Sequence, residues 1–256
     1  MIGRVLIVAG SDSGGGAGIQ ADLKTVLALG AHGMTAITAL TAQNTLGVHA
    51  IHPVPAAFVR QQMEVVLADL GADAVKTGML GNAELITTVT EILRNRRLPL
   101  VLDPVMVAKG GARLLDPAAL DALRAMIPLA TLLTPNIPEA MALLGHPIDD
   151  PIEAAKALLE LGAAAVLLKG GHAQGPIVKD VLATPTAITV LEMPRIDTPH
   201  THGTGCTLAS AVAAGLSQGM GLEAAVRRAR NYVQAAIAAA PGFGAGQGPL
   251  NHAVSP

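Results

Sequence analysis

Residues 201–207 read Thr-His-Gly-Thr-Gly-Cys-Thr and run directly into the small-residue stretch 208–215, which has the character of a helix. Backbone N–H groups of Gly203, Thr204, Gly205 and Cys206 at a helix start would point outward together, where the helix dipole also favours an anion. Cys206 is the only cysteine in the chain. A thiol at such a place is expected to have a depressed pKa; the alternative is a small buried hydrophobe. A second glycine-rich run, residues 11–18, holds four glycines in its last five positions and follows an apolar run. It fits G-x-G-x-x-A at residues 16–21, but no Asp or Glu lies between Asp22 and Glu64 to bind a ribose, and no Gly-Lys-Ser/Thr follows. It is either a ligand loop or a tight turn. Asp103 ends an apolar run before Pro104, and Glu139 closes Thr-Pro-Asn-Ile-Pro-Glu. Two carboxylates near an anion hole suit a Mg²⁺–phosphate site, because Mg²⁺ is usually held by one or two carboxylates plus phosphate oxygens and water. Gln43 sits in an otherwise apolar segment, where its carboxamide could read the edge of a heterocycle or satisfy a loop carbonyl. His200 and His202 have H-x-H spacing, but only Cys206 lies near enough in sequence to add a ligand.

The elements that must position these groups alternate. Apolar runs at 5–9, 34–40, 48–54, 74–78, 100–103, 129–134 and 165–169 read as strands. Residues 17–29, 55–70, 83–93, 152–161, 205–218 and 222–239 read as helices, and 177–183 with 187–192 as a strand pair. Such alternation predicts an α/β fold of three layers, a central mostly parallel sheet with helices on both faces. Residues 1–256 contain no linker-like stretch or repeat, so one domain is expected. Ligands of such sheets bind beyond the carboxyl ends of the strands, where almost every polar oddity of this sequence falls.

Composition narrows the function. Three aromatic residues in 256 argue against a base-stacking RNA or single-strand binder. A net charge of −2 with no basic block argues against nucleic-acid binding. One cysteine excludes an internal disulfide framework and, with no signal-peptide pattern, points to the cytoplasm. Residues 25–59 carry no Lys, Arg, Asp or Glu, but prolines, glycines and histidines break the run too often for a membrane span; it reads as buried core.

In order along the chain, residues 10–25 (GSDSGGGAGIQADLKT), 41–44 (TAQN), 75–80 (VKTGML), 103–110 (DPVMVAKG), 134–139 (TPNIPE), 168–172 (LKGGH), 202–208 (HGTGCTL) and 248–252 (GPLNH) closely resemble the hydroxymethylpyrimidine/phosphomethylpyrimidine kinases of thiamine biosynthesis. The resemblance implies the ribokinase-like fold, commonly as a homodimer, with ATP and Mg²⁺. It implies that Gly203, Thr204, Gly205 and Cys206 surround the transferred phosphoryl group, with Cys206 where most of the superfamily has a catalytic Asp. It implies that Gln43 reads the pyrimidine, that Asp22, Met79 and Val105 lie at the substrate pocket, and that Asp103 and Glu139 organise Mg²⁺. Lys169, Asn136 and Lys109 fall where the nucleotide is approached. A pyridoxal-kinase offshoot carries a second cysteine in the loop matching 107–111, which here is Val-Ala-Lys-Gly-Gly; this favours pyrimidine over pyridoxal. The competing readings are a pyridoxal kinase, a non-catalytic pyrimidine binder, and a hydrolase pairing Cys206 with His202.

Overall fold

A computed structural model describes residues 2–108, 111–171 and 175–254. Among these residues nine strands form one sheet: β1 (Arg4–Asp12), β2 (His32–Asn44), β3 (Gly47–Pro53), β4 (Ala74–Thr77), β5 (Leu100–Leu102), β6 (Leu132–Leu133), β7 (Val166–Leu168), β8 (Ile177–Thr184) and β9 (Ala187–Pro194). Their order is β3-β2-β1-β4-β5-β6-β7-β8-β9. The six from β2 to β7 are parallel, and β3 at one edge and β8–β9 at the other run antiparallel. The helices are α1 (Gly18–Ala28), α2 (Ala56–Asp69), α3 (Ala83–Arg94), α4 (Leu120–Met126), α5 (Ile137–Leu144), α6 (Pro151–Glu160), α7 (Thr204–Ser217) and α8 (Leu222–Ala238).

The side-chain alternation of a strand explains the layers. Leu6 and Val8 of β1 face one core, packed by Met63 of α2, Ile86 of α3, Leu123 of α4 and Leu158 of α6. Val5, Ile7 and Ala9 face the other, packed by Val26 of α1, Val212 of α7 and Val226 of α8. Every residue of α7 from Thr207 to Gly215 is buried, because the helix lies between the sheet and α8. The packing against α8 is tightest at Gly215, where a Cβ would stand 2.8 Å from that of Ala225.

Several expectations need correction. Residues 41–44 are not a loop after a strand but the end of β2, which continues past the parallel sheet and pairs antiparallel with β3. The charge-free run is not wholly buried, since residues 49–53 of β3 are exposed. The strand expected at 129–134 shrinks to Leu132–Leu133, because Pro128 sits in a preceding 3₁₀ turn. Helix α4 was not expected, being only seven residues long, and neither was α5, whose Pro138 masks a capping box. No helix among the described residues is long and apolar enough to cross a membrane.

Candidate active site

The chain leaves β1 for β2 on one side and returns at β4 on the other, so the strand order diverges beside β1. A crevice opens beyond the carboxyl ends at such a point. Here a cavity of about 870 Å³ is lined by Gln43, Met79, Val105, Asn136, Glu139, Asp103, Lys169 and the α7 start from Gly203 to Cys206. Segments separated by more than 160 residues thus meet in one space. Asp22 does not line it, contrary to expectation. It is fully buried below, bonded to Lys76 and to Ser210. Lys109 lies outside the described residues.

The first glycine run resolves as a turn closed by its own carboxylate. Asp12, 3% exposed, accepts the N–H groups of Gly14 (2.8 Å), Gly16 (3.1 Å) and Ala17 (2.8 Å). It also accepts from His202 Nε2 at 2.9 Å. These donors are therefore not available to a phosphate. Burial works against the Asp12 carboxylate, but the His202 bond and the backbone donors outweigh it and hold its pKa below the ordinary value. Because His202 Nε2 carries the proton given to Asp12, it cannot accept from the Gln43 amide 3.3 Å away. The Gln43 amide hydrogens are left for a ligand, while its oxygen lies 3.2 Å from Thr41 Oγ1, whose one hydrogen goes chiefly to the Ser11 carbonyl at 2.9 Å.

The second glycine run opens α7 at the cavity, with the Thr204 N–H donated to the Thr201 carbonyl at 3.4 Å. Gly203 caps α7 with φ of +86°, and Thr204, Gly205 and Cys206 form the open first turn. A Cβ on Gly203 would collide with the Gly16 carbonyl oxygen, so the two glycine segments pack directly on each other. Cys206 corrects an expectation. Its thiol is not depressed: burial pushes it up to about 11, against Lys76 and with Asp22 and Asp103 adding to the rise. Lys76 and the Gly18 N–H do not compensate for lost solvent.

Asp103, 2% exposed, accepts from Lys169 Nζ (2.9 Å) and Thr134 Oγ1 (3.1 Å) through Oδ1. Its Oδ2 has no hydrogen-bond partner among the described residues. Glu139 and Asn136 form a capping box on α5, Glu139 Oε2 accepting the Asn136 N–H at 2.8 Å and Asn136 Oδ1 accepting the Glu139 N–H at 2.9 Å. The Asn136 oxygen is thus occupied and only its amide hydrogens remain free. Burial raises Glu139 to about 7, Lys169 opposing and Asp103 adding. Burial disfavours the Lys169 ammonium, but Asp103 and Glu139 outweigh it and raise its pKa. Lys169 is thus paired with Asp103 and acts on Glu139 only through its charge, and one Asp103 oxygen is left unpartnered among the described residues. That donor set fits a hard divalent cation that takes most of its ligands from phosphate and water. No group of three His, Cys, Asp or Glu able to hold a metal occurs among the described residues.

Lys76 was missed. It lines the cavity yet is fully buried. A lysine inside the apolar run 74–78 was the available signal, since buried lysines are rare unless paired.

A sequence profile of the phosphomethylpyrimidine kinase family matches residues 12–251. The chain is 51% identical over 252 residues to the hydroxymethylpyrimidine/phosphomethylpyrimidine kinase of Streptomyces coelicolor, covering 97% of this chain and 93% of that one. It is 53% identical over 255 residues to the thiamine biosynthesis bifunctional protein ThiED of Geobacter sulfurreducens, covering 98% of this chain but 52% of that protein. This chain therefore spans about half the length of that relative. Among solved structures, the ADP complex of Bacillus subtilis pyridoxal kinase superposes with a TM-score of 0.91 at 39% identity, covering 98% of each chain. The fold is thus ribokinase-like. With the profile spanning nearly the whole chain and half of the aligned residues shared with a kinase covered over 93% of its length, this protein belongs to the phosphomethylpyrimidine kinase family.

Proposed function

We propose that this chain, acting as a single kinase domain, moves the γ-phosphoryl group of ATP to the hydroxymethyl oxygen of 4-amino-5-hydroxymethyl-2-methylpyrimidine, and a second one to the resulting monophosphate, for thiamine biosynthesis. The observation that carries the reading is the common cavity, in which Gln43, Met79 and Val105 share one space with the open α7 start and the Asp103–Lys169–Glu139 group. The amide hydrogens of Gln43 are free to meet a ring nitrogen. Met79 and Val105 provide apolar walls.

In the reaction the substrate oxygen bonds to the γ-phosphorus, the bond to the β–γ bridging oxygen breaks, and ADP leaves with that electron pair. The N–H groups at Gly205 and Cys206 stabilise charge on the transferred group. The hydroxyl proton passes to Cys206 in its thiolate form. Asp103 and Glu139 would hold Mg²⁺, which supplies charge neutralisation for the triphosphate when bound. Lys169 keeps Asp103 oriented through its 2.9 Å bond and adds positive charge at the same wall.

Pyridoxal is the second substrate to weigh, because the Bacillus subtilis pyridoxal kinase shares the fold so closely. The absence of a second cysteine supports the pyrimidine. The test is a coupled ADP-release assay with the hydroxymethylpyrimidine, its monophosphate and pyridoxal. Turnover of both pyrimidines is expected. Turnover of pyridoxal alone, or pyrimidine binding without ADP release, would reject the reading. A cytoplasmic location and a homodimer complete the proposal; Leu46 on the β2–β3 turn and Phe58 on α2 are apolar side chains left 66% and 55% exposed in the single chain.

A further inference from the structure

The first turn of α7 meets two conflicting demands. Its N–H groups at Gly205 and Cys206 have no acceptor among the described residues, and a phosphoryl group needs them free. A helix start left in that state frays, because nothing inside the helix satisfies those donors. Many helices settle this with a Ser, Thr, Asp or Asn at the N-cap, whose side chain takes one of the N–H groups. A side chain used in that way on α7 would occupy the donors the reaction requires. The N-cap here is Gly203, which makes no side-chain bond. The turn is fixed from outside instead.

The outside contacts come from the end of the chain. Residues 248–252 run Gly-Pro-Leu-Asn-His, and nothing in the reaction described above uses them. Gly248 O accepts the N–H of His202 at 3.1 Å, and Pro249 bridges to His202 directly before Gly203. Leu250 is buried. Asn251 donates its N–H to Ala236 O of α8 at 3.1 Å. His252 is buried, and its carbonyl accepts from the Tyr232 hydroxyl of α8 at 2.8 Å. Its ring then reaches α7, where His252 Nε2 and Thr207 Oγ1 share a hydrogen bond of 2.9 Å. Thr207 is wholly buried, and its N–H closes the first α7 turn on Gly203 O at 2.9 Å. Burial first, and the charge of Lys24 on α1 second, hold the His252 pKa down to about 4, so the ring is neutral at pH 7. Neither Thr207 nor His252 lines the cavity, so neither touches a substrate there.

We propose that His252 is a positioning residue of the phosphoryl-transfer site: anchored to α8 by its own carbonyl, it braces the first turn of α7 through Thr207 and so holds the Gly205 and Cys206 N–H groups in place without occupying them. The purpose of this brace rests on the kinase reading, but its presence is tested without it.

Four variants separate bracing from bulk stability. Thr207→Val keeps size and burial and removes the hydroxyl. His252→Leu removes the ring nitrogens, and Thr207→Val carries the test should His252→Leu not fold. The double variant Thr207→Val with His252→Leu leaves neither partner stranded. His252→Gln keeps a nitrogen at the reach of Nε2. The first readout is amide hydrogen exchange by NMR in the ligand-free protein. In the first three variants, exchange at Thr207 and Leu208 is expected to rise about two- to tenfold, the weight of one hydrogen bond, while Val212 to Ala214 in the middle of α7 keep wild-type rates. The second readout is ADP release with the hydroxymethylpyrimidine. Here kcat is expected to fall about tenfold or more, since misplacing a site by about 1 Å can cost 10²-fold. KM for the pyrimidine, which Gln43 reads from β2, should stay at the wild-type value. His252→Gln is expected to return both readouts toward wild type. Unchanged exchange at Thr207 and Leu208, or an equal rise along the whole of α7, overturns the proposal, as does raised local exchange with a wild-type kcat. Raised local exchange in a protein whose wild type phosphorylates no pyrimidine retains the brace and rejects the kinase reading.

Discussion

Raising the pH should accelerate this enzyme through Cys206, and the range over which the rate climbs is set by how far the thiol lies from neutrality. With the thiol pushed up to about 11, a solution at pH 7.5 holds roughly 3 in 10⁴ molecules as thiolate, since each unit of distance is a factor of ten. If the thiolate takes the hydroxyl proton, kcat climbs about tenfold per pH unit above neutrality for as long as chemistry limits turnover. A bound triphosphate steepens the requirement, because another negative charge nearby disfavours ionisation further. The assay is ADP release at saturating ATP and pyrimidine from pH 6.5 to 9.5. Cys206→Ser, whose hydroxyl does not ionise in this range, should lose the slope and drop by about 10²–10⁴ at the upper end, the usual contribution of a general base. Cys206→Asp, carrying a carboxylate ionised throughout, should be nearly flat and faster than Cys206→Ser. Cys206→Ser turning over at wild-type speed would refute the proton-acceptor role and leave the thiol to orient the hydroxyl, whereas a wild-type profile already level by pH 8 would refute the raised pKa.

Gln43→Ala should weaken pyrimidine binding by about 1–3 kcal/mol, the penalty for an unpaired buried polar group, and leave ATP binding unchanged in calorimetry; equal losses for both ligands would make Gln43 structural. Asp103→Asn and Glu139→Gln should each slow turnover and raise the Mg²⁺ concentration needed for half-maximal rate, and an unaltered Mg²⁺ dependence in both would remove them from the metal site. Glu139 also predicts a stability signature: its folded pKa of about 7 exceeds the ordinary 4.5, so the folded chain binds the extra proton, and this group's contribution declines as pH rises from about 4.5 to 7. Thermal unfolding of Glu139→Gln should lack that decline. Gly203→Ala should fail to accumulate as folded protein or should melt well below the wild type, since a left-handed backbone and the Gly16 carbonyl both oppose a side chain there; a wild-type melting temperature would contradict the packing of the two glycine segments.

Strands buried on both faces announce themselves as unbroken apolar runs, which is why β1, β4, β5 and β7 could be read from the residues. What could not be read was where a strand outlives its sheet. Residues 41–44 look like the loop after β2 because pairing with β3, not burial, keeps them extended. The site was legible where backbone chemistry is local: Gly203 to Cys206 sit on a helix start that the sequence itself writes. It was illegible where a partner comes from afar. Asp12 and His202 are 190 positions apart, so nothing near residue 12 discloses that the first glycine run spends its N–H groups on its own aspartate. The rise of the Cys206 pKa was missed for the same reason. A helix N-terminus is a local feature that lowers a thiol pKa, whereas burial is a property of the assembled layers and here is the larger effect. Asp22 was placed at the pocket by resemblance, and its true partner, Lys76, stood 54 residues away.

The position of α7 bears on how the chain must be made. The strands from β3 through β5 are complete by Leu102, but α7, which covers β1, β4 and β5 on one face, ends only at Ser217. At about 5–20 residues per second, a ribosome takes roughly 6–23 s to produce the intervening stretch. During that interval α1 is the single helix on a face that presents Val5, Ile7 and Val101, to which Leu132 and Leu167 are added as β6 and β7 emerge. Such a surface is the ordinary substrate of nascent-chain chaperones. A chain terminated upstream of α7 never buries it, and so yields an aggregating sheet instead of an inactive but folded enzyme.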